Sequence, residues 1–160
     1  MALGFTPEER LLIDGKLVPA ASGKMFDNIN PATEEVIGQV ADAGREDMMA
    51  AIEAARRAFD ETDWSTNKEL RKRCLTQLQA ALEEEKEDLR KELIAEVGAP
   101  LLTTYMAQLD APLAEAINFP IRLIDEFPWE RELESQDMNG FVSRRYVWKE
   151  AIGVVANIVP

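Results

Sequence analysis

Histidine is absent from this chain of 160 residues, and cysteine occurs once, at Cys74. Without histidine there is no Ser–His or Cys–His nucleophile pair, and no imidazole to ligate a metal. No metal site is therefore expected. Any chemistry within the chain would rest on carboxylates, Lys, Tyr or a lone thiol. A single thiol also excludes an intrachain disulfide, which fits a reducing compartment. Long apolar runs are missing too. No stretch of about 18 apolar residues occurs, so no transmembrane helix is expected. Positive charge is scarce: 18 Lys and Arg stand against 30 Asp and Glu, a formal net charge of −12. Nucleic acid and anionic membrane are both polyanions, so neither is an expected partner. Met1 to Arg10 contains no basic region followed by an apolar stretch. No secretory leader is read there, and the expected location is cytoplasmic. No Gly-x-Gly-x-x-Gly appears anywhere, and no internal repeat.

What is present reads as one globular unit, 46% hydrophobic and 30% charged. The first forty or so residues carry strand and turn signals. Asp14-Gly15 between apolar residues suits a type I′ turn, whose two central residues need positive φ. Ser22-Gly23 marks the next loop. Phe26 to Ile29 and Val36 to Val40 are strand candidates on either side of a turn begun by Pro31. Together they predict a small antiparallel sheet.

The middle is helical. Met48, Ile52, Ala55 and Phe59 recur at helical spacing over Glu46 to Phe59, with Glu46 and Asp47 in the first turn, where the helix dipole favours negative charge. Leu70, Cys74, Leu78, Ala81 and Leu82 form a second apolar stripe. Cys74 is read as a small buried core residue on that stripe, not as a reactive thiol. Glu83 to Asp88 is a charge run, read as a solvated helix face. Nothing breaks the pattern between Lys68 and Val97, which leaves one long helix or two with a bend. Gly98 and Pro100 end it. Leu101 to Glu126 predicts a further helix, kinked or broken near Pro112 and Pro120. Pro128 to Gly140 is polar and reads as loop.

The last twenty residues change character. Phe141 to Trp148 alternates and is rich in β-branched and aromatic residues, so it predicts an extended strand. Ile152 to Val159 is nearly all apolar, which suggests a strand buried on both faces, as in a parallel sheet. Such a strand needs crossover-connected partners. Their absence from the sequence predicts that this is the amino-terminal piece of a larger α/β enzyme.

Four ordered stretches carry a resemblance. They are Ile13-Asp14-Gly15-Lys16 with Ser22 to Phe26; Asn30-Pro31-Ala32-Thr33-Glu34-Glu35-Val36-Ile37; Ala50 to Phe59 with Trp64, leading into Glu96-Val97-Gly98-Ala99-Pro100; and Gly153 to Pro160. In this order and spacing the chain resembles the start of the aldehyde dehydrogenase superfamily. The departures are small: the family usually has Gly where Glu34 stands and often Lys where Ala99 stands, and Leu101 to Arg131 matches poorly.

The resemblance implies an α/β fold. Residues 1–140 would be the amino-terminal part of a coenzyme-binding domain, hairpins then helices. Residues 141–149 would be a β-arm for self-association, and residues 150–160 the first strand of the nucleotide-binding sheet. It also implies oxidation of an aldehyde to an acid with NAD or NADP, through a cysteine thioester. Ile158, Val159 and Pro160 match a strand end that lines the family's nicotinamide coenzyme cleft. Ile158 and Val159 read equally as core residues of a buried strand, and the two roles are compatible. No catalytic residue is expected here: the family's nucleophilic Cys, general-base Glu and oxyanion-binding Asn lie beyond the position of Pro160, and Cys74 does not match the nucleophile's motif. Members commonly hold a monovalent cation near the backbone of Asn28 and Ile29 with an acid from a later helix. That acid's counterpart falls near Gln108, and no such site is predicted. The alternative reading is a stand-alone interaction module without catalysis.

Overall fold

The computed structural model describes residues 8–159. Asp14 and Gly15 take φ values of 54° and 71°, so they make the type I′ turn their sequence calls for. They join β1 (Leu11–Ile13) to β2 (Lys16–Val18), with Leu11 opposite Val18. A second antiparallel pair joins β3 (Met25–Ile29) to β4 (Val36–Ala41), with a bulge between Asn28 and Ile29. The turn between them is built by Asn30, whose Oδ1 accepts the N–H groups of Ala32 at 2.8 Å and Thr33 at 3.2 Å. Glu34 has a φ of 61°. That left-handed conformation costs a side-chain-bearing residue about 1–2 kcal/mol, which accounts for the glycine usual at this place in the resembling family. The single small sheet expected from the sequence is instead two separate ribbons.

Helix α1 runs over Arg45–Glu61. The Asp47 carboxylate accepts the Gly44 N–H at 2.8 Å and the Ala21 N–H at 2.8 Å. It therefore satisfies a donor at the helix start and pins the preceding loop to it. The span from Lys68 to Val97 divides into α2 (Lys68–Glu84) and α3 (Lys86–Val97), stepping at Glu85. Asn67 caps α2 by accepting the Leu70 N–H at 2.9 Å. Gly98 ends α3 at a φ of 68°. There a Cβ would also press on the Pro31 ring at 3.1 Å, so this cap holds α3 against the β3–β4 turn. Cys74 is half-buried, not buried as its stripe suggested. The stripe is only partly covered: Leu78 is 48% exposed.

Beyond Pro100 the helical stretch breaks as its prolines require. A short α4 (Leu101–Thr103) passes into a wide π-type turn, Thr104–Gln108, then α5 (Asp110–Glu115) and α6 (Asn118–Glu126). Pro112 and Pro120 each stand third in their helix, where the missing N–H has no intrahelical partner to lose. Leu109, Leu113 and Ile124 are the large residues of the buried core. Buried Arg90 ties these pieces together. It donates to Thr104 Oγ1 at 2.9 Å, to Asp110 Oδ1 at 2.6 Å and to Glu87 Oε1 at 3.0 Å, and it lies 3.8 Å from the centre of the Tyr105 ring. Its acceptors, Glu87 first, hold the guanidinium in its charged form.

Two expectations need correction. Pro128 to Gly140 is not a loop: Glu130–Met138 forms β5, paired antiparallel with β6 (Phe141–Trp148). The polar sequence misled because neither face of β5 is packed on a core. Leu133 is its one half-buried residue, so no apolar alternation marks it. Among the described residues the strand expected over Ile152 to Val159 is not formed either. Residues 149–159 are irregular and pair with no strand among the described residues, and Ile152 and Ile158 are more than 90% exposed. A strand is stabilised by its neighbour, and an apolar run has none here.

Candidate coenzyme segment and association hairpin

The hairpin of β5 and β6 is closed by Asn139 and Gly140, at φ 56° and 90°. It pairs Glu130 with Trp148 and Met138 with Phe141 at its two ends. On β6, Phe141, Ser143, Arg145 and Val147 share one face, and Val142, Arg144, Tyr146 and Trp148 the other. Ser143 and Val147 are half-covered. The opposite face is open, and the Tyr146 and Trp148 rings stack there with centres 6.0 Å apart. Phe141 is 79% exposed and Trp148 63%. Sequence reasoning found β6 but missed its partner; the Asn139-Gly140 pair, a strong hairpin signal, would have found it.

At the base of the hairpin the Lys149 N–H donates to the Trp129 carbonyl at 2.9 Å, and the Trp129 indole donates to the Ile124 carbonyl at 3.0 Å. The chain then crosses α1. Gly153 sits there at a φ of 124°, and a Cβ on it would lie 2.9 Å from Arg56 Nη1. Arg56 is held by Asp60 and stacks on Phe59, 4.5 Å from its ring centre. The positive φ is what favours glycine here, since the exposed Arg56 guanidinium could move aside from a Cβ.

Ile158 and Val159 follow on exposed chain, 93% and 71% accessible, and Pro160 lies outside the described residues. The structure brings Ile158 and Val159 together only as chain neighbours, and neither lines the cleft beside Trp129 or the one beside Leu109. Their side chains are apolar. What they can give a nicotinamide coenzyme is van der Waals contact, and the described residues build no cradle around it. Cys74 has no histidine to pair with, and among the described residues no group of three or more His, Cys, Asp or Glu could hold a metal ion. Asn28 does meet an acid from a later helix: its Nδ2 donates to Glu96 at 2.7 Å. No helix among the described residues is long and apolar enough to cross a membrane.

Paired ribbons and capped helices give the described residues a mixed α/β architecture. Comparison with known proteins identifies the family. Residues 17–160 match the model of the aldehyde dehydrogenase family, and the chain belongs to that family. It is 36% identical over 156 residues to a peroxisomal aminoaldehyde dehydrogenase of Pisum sativum, covering 94% of this chain and 30% of the relative. A mitochondrial aldehyde dehydrogenase of Leishmania tarentolae is 33% identical over 156 residues, covering 96% and 29%. Among solved structures, an indole-3-acetaldehyde dehydrogenase in apo form superposes with a TM-score of 0.76 at 26% identity, over 84% of this chain and 31% of that one. A Mycobacterium tuberculosis aldehyde dehydrogenase complexed with NAD+ gives 0.72 at 28% identity, over 78% and 26%. The chain spans about 30% of the length of the curated relatives it matches.

Proposed function

We propose that this chain forms the amino-terminal portion of an NAD(P)+-dependent aldehyde dehydrogenase that oxidises an aldehyde to a carboxylic acid through a cysteine thioester. The observation that carries the reading is the family match over residues 17–160. Support for the coenzyme comes from neighbours of the same fold solved with NAD+. In this reading Ile158, Val159 and Pro160 contribute an apolar wall to the nicotinamide cleft, and 141–149, with β5 beside it, joins subunits of a homo-oligomer in the cytoplasm. The thiol that attacks the aldehyde is not Cys74, which lies half-buried on a helix stripe and does not match the nucleophile's motif. The family match disfavours a stand-alone module without catalysis.

Two measurements test this. NADH or NADPH formation by the 160-residue chain with a panel of aldehydes is expected to be nil; a rate that survives Cys74→Ser and rigorous purification would overturn the assignment. Sequencing past the codon for Pro160 is expected to show Trp-Asn and, much later, a nucleophilic cysteine. A stop codon there would favour the module.

A further inference from the structure

A cleft of about 640 Å³ lies between the end of α1, the start of α2 and the backbone at 149–153. Its walls carry three cations, Lys68, Arg71 and Lys149, and one carboxylate, Glu150. The Trp129 ring lies beside two of these cations, and its backbone holds the chain at the third. Lys68 Nζ lies 5.2 Å and the Arg71 guanidinium 5.9 Å from the centre of its ring, and its carbonyl accepts the Lys149 N–H. Arg71 Nη1 donates to the Trp64 carbonyl at 2.7 Å, which fixes the guanidinium by one edge.

Three cations to one carboxylate reverses the chain's overall balance. Carboxylates outnumber cations 30 to 18, and Arg56, Arg57, Lys72 and Arg90 each hold one. Among the described residues, Lys68, Arg71 and Lys149 form no ion pair, although they share one cleft. Like charges gathered at an apolar surface repel, and an anion entering between them relieves that repulsion. The apolar walls, Phe59, Trp64 and Trp129, favour an anion that brings hydrocarbon with it over a bare, strongly hydrated one.

We infer that this cleft is a seat for a carboxylate on a short apolar stem. Such a group could be free in solution or carried by another part of the same polypeptide, since the family's members are about three times as long as the stretch they share with this chain. The inference does not depend on the coenzyme reading.

The probe is butyrate, followed through the indole N–H resonances of Trp64 and Trp129, with chloride at matched ionic strength as control. Saturable shifts with butyrate, weaker ones with phosphate and none with chloride are expected. Lys68→Met combined with Lys149→Met should weaken butyrate binding about tenfold, a loss of about 1.4 kcal/mol. Both lysines are exposed, so the variant should fold. Equal shifts with chloride, or unchanged butyrate affinity in the double variant, would overturn the inference. The same titration on a polypeptide carrying this chain within a complete subunit separates the two sources. Persistent butyrate shifts identify a free carboxylate. Lost shifts, together with a lower Tm in the double variant, identify a carboxylate of the polypeptide itself. Lost shifts with an unchanged Tm would count against both.

Discussion

Asp47 shows how one side chain can join two elements. It is buried, and both oxygens accept backbone N–H groups, from Gly44 at the start of α1 and from Ala21 in the loop before β3. Those donors, Gly44 first, hold its carboxyl below the usual aspartate range. A carboxyl with a depressed folded pKa stabilises the fold at pH values above its unfolded pKa, about 3.9. That contribution is lost as pH falls through the folded value. Asp47→Ala should therefore lower the Tm by about 3 °C near neutral pH. Scanning calorimetry across pH should find the gap between parent and variant constant above about pH 5 and closing below about pH 4. A gap that stays open in acid would mean that packing, not the ionised carboxylate, is what the variant loses. The sequence placed Asp47 in the first turn of a helix, but not its bond to Ala21, which depends on where the β-ribbons settle. Arg90 was illegible for the same reason. Its partners lie at Glu87, Thr104, Tyr105 and Asp110, and only the break in the chain after Pro100 folds them around it.

Elements with a local chemical signal were legible, and those without one were not. Asp14-Gly15 predicted the first hairpin, Gly98 the end of α3, and the prolines the breaks at α5 and α6, because each fixes a backbone angle by itself. The step at Glu85 carries no such residue, so one helix or two stayed open. Strand β5 was missed because a ribbon with both faces in water needs no apolar alternation. The run Ile152 to Val159 reads as a strand and forms none among the described residues. Its composition describes the neighbours it is suited to, whereas a strand exists only where a neighbour pairs with it. At this scale Asn67 offers a clean test. It caps α2 through Leu70 and also donates to Asp63. Asn67→Ala should destabilise the chain by about 1 kcal/mol, read as a lower urea midpoint in far-ultraviolet circular dichroism with an unchanged slope. An unchanged midpoint would show that α2 is held by packing on α5 and α6 alone.

The described residues leave many large apolar side chains exposed, and a group of them lies on the hairpin. Phe141, Val142, Met138 and Trp148 are each more than half exposed. Pairing β5 with β6 satisfies their facing backbone groups, yet each strand keeps an outer edge free to pair with another chain. The stacked Tyr146 and Trp148 rings form a flat apolar surface of the kind enriched at protein interfaces. The polar flank of β5, with Glu130, Glu132 and Glu134, opposes indiscriminate stacking, so a specific partner surface is favoured over aggregation. The complete protein is therefore expected to be a dimer or tetramer with this hairpin in the interface. Light scattering at micromolar concentration on the full-length protein is the check. Tyr146→Asp and Trp148→Asp each place a charge on the open face, where neither disturbs a core, and each should shift the mass toward that of the monomer. If both variants keep the parent's mass, the hairpin lies back on its own subunit and the aromatic face is internal packing.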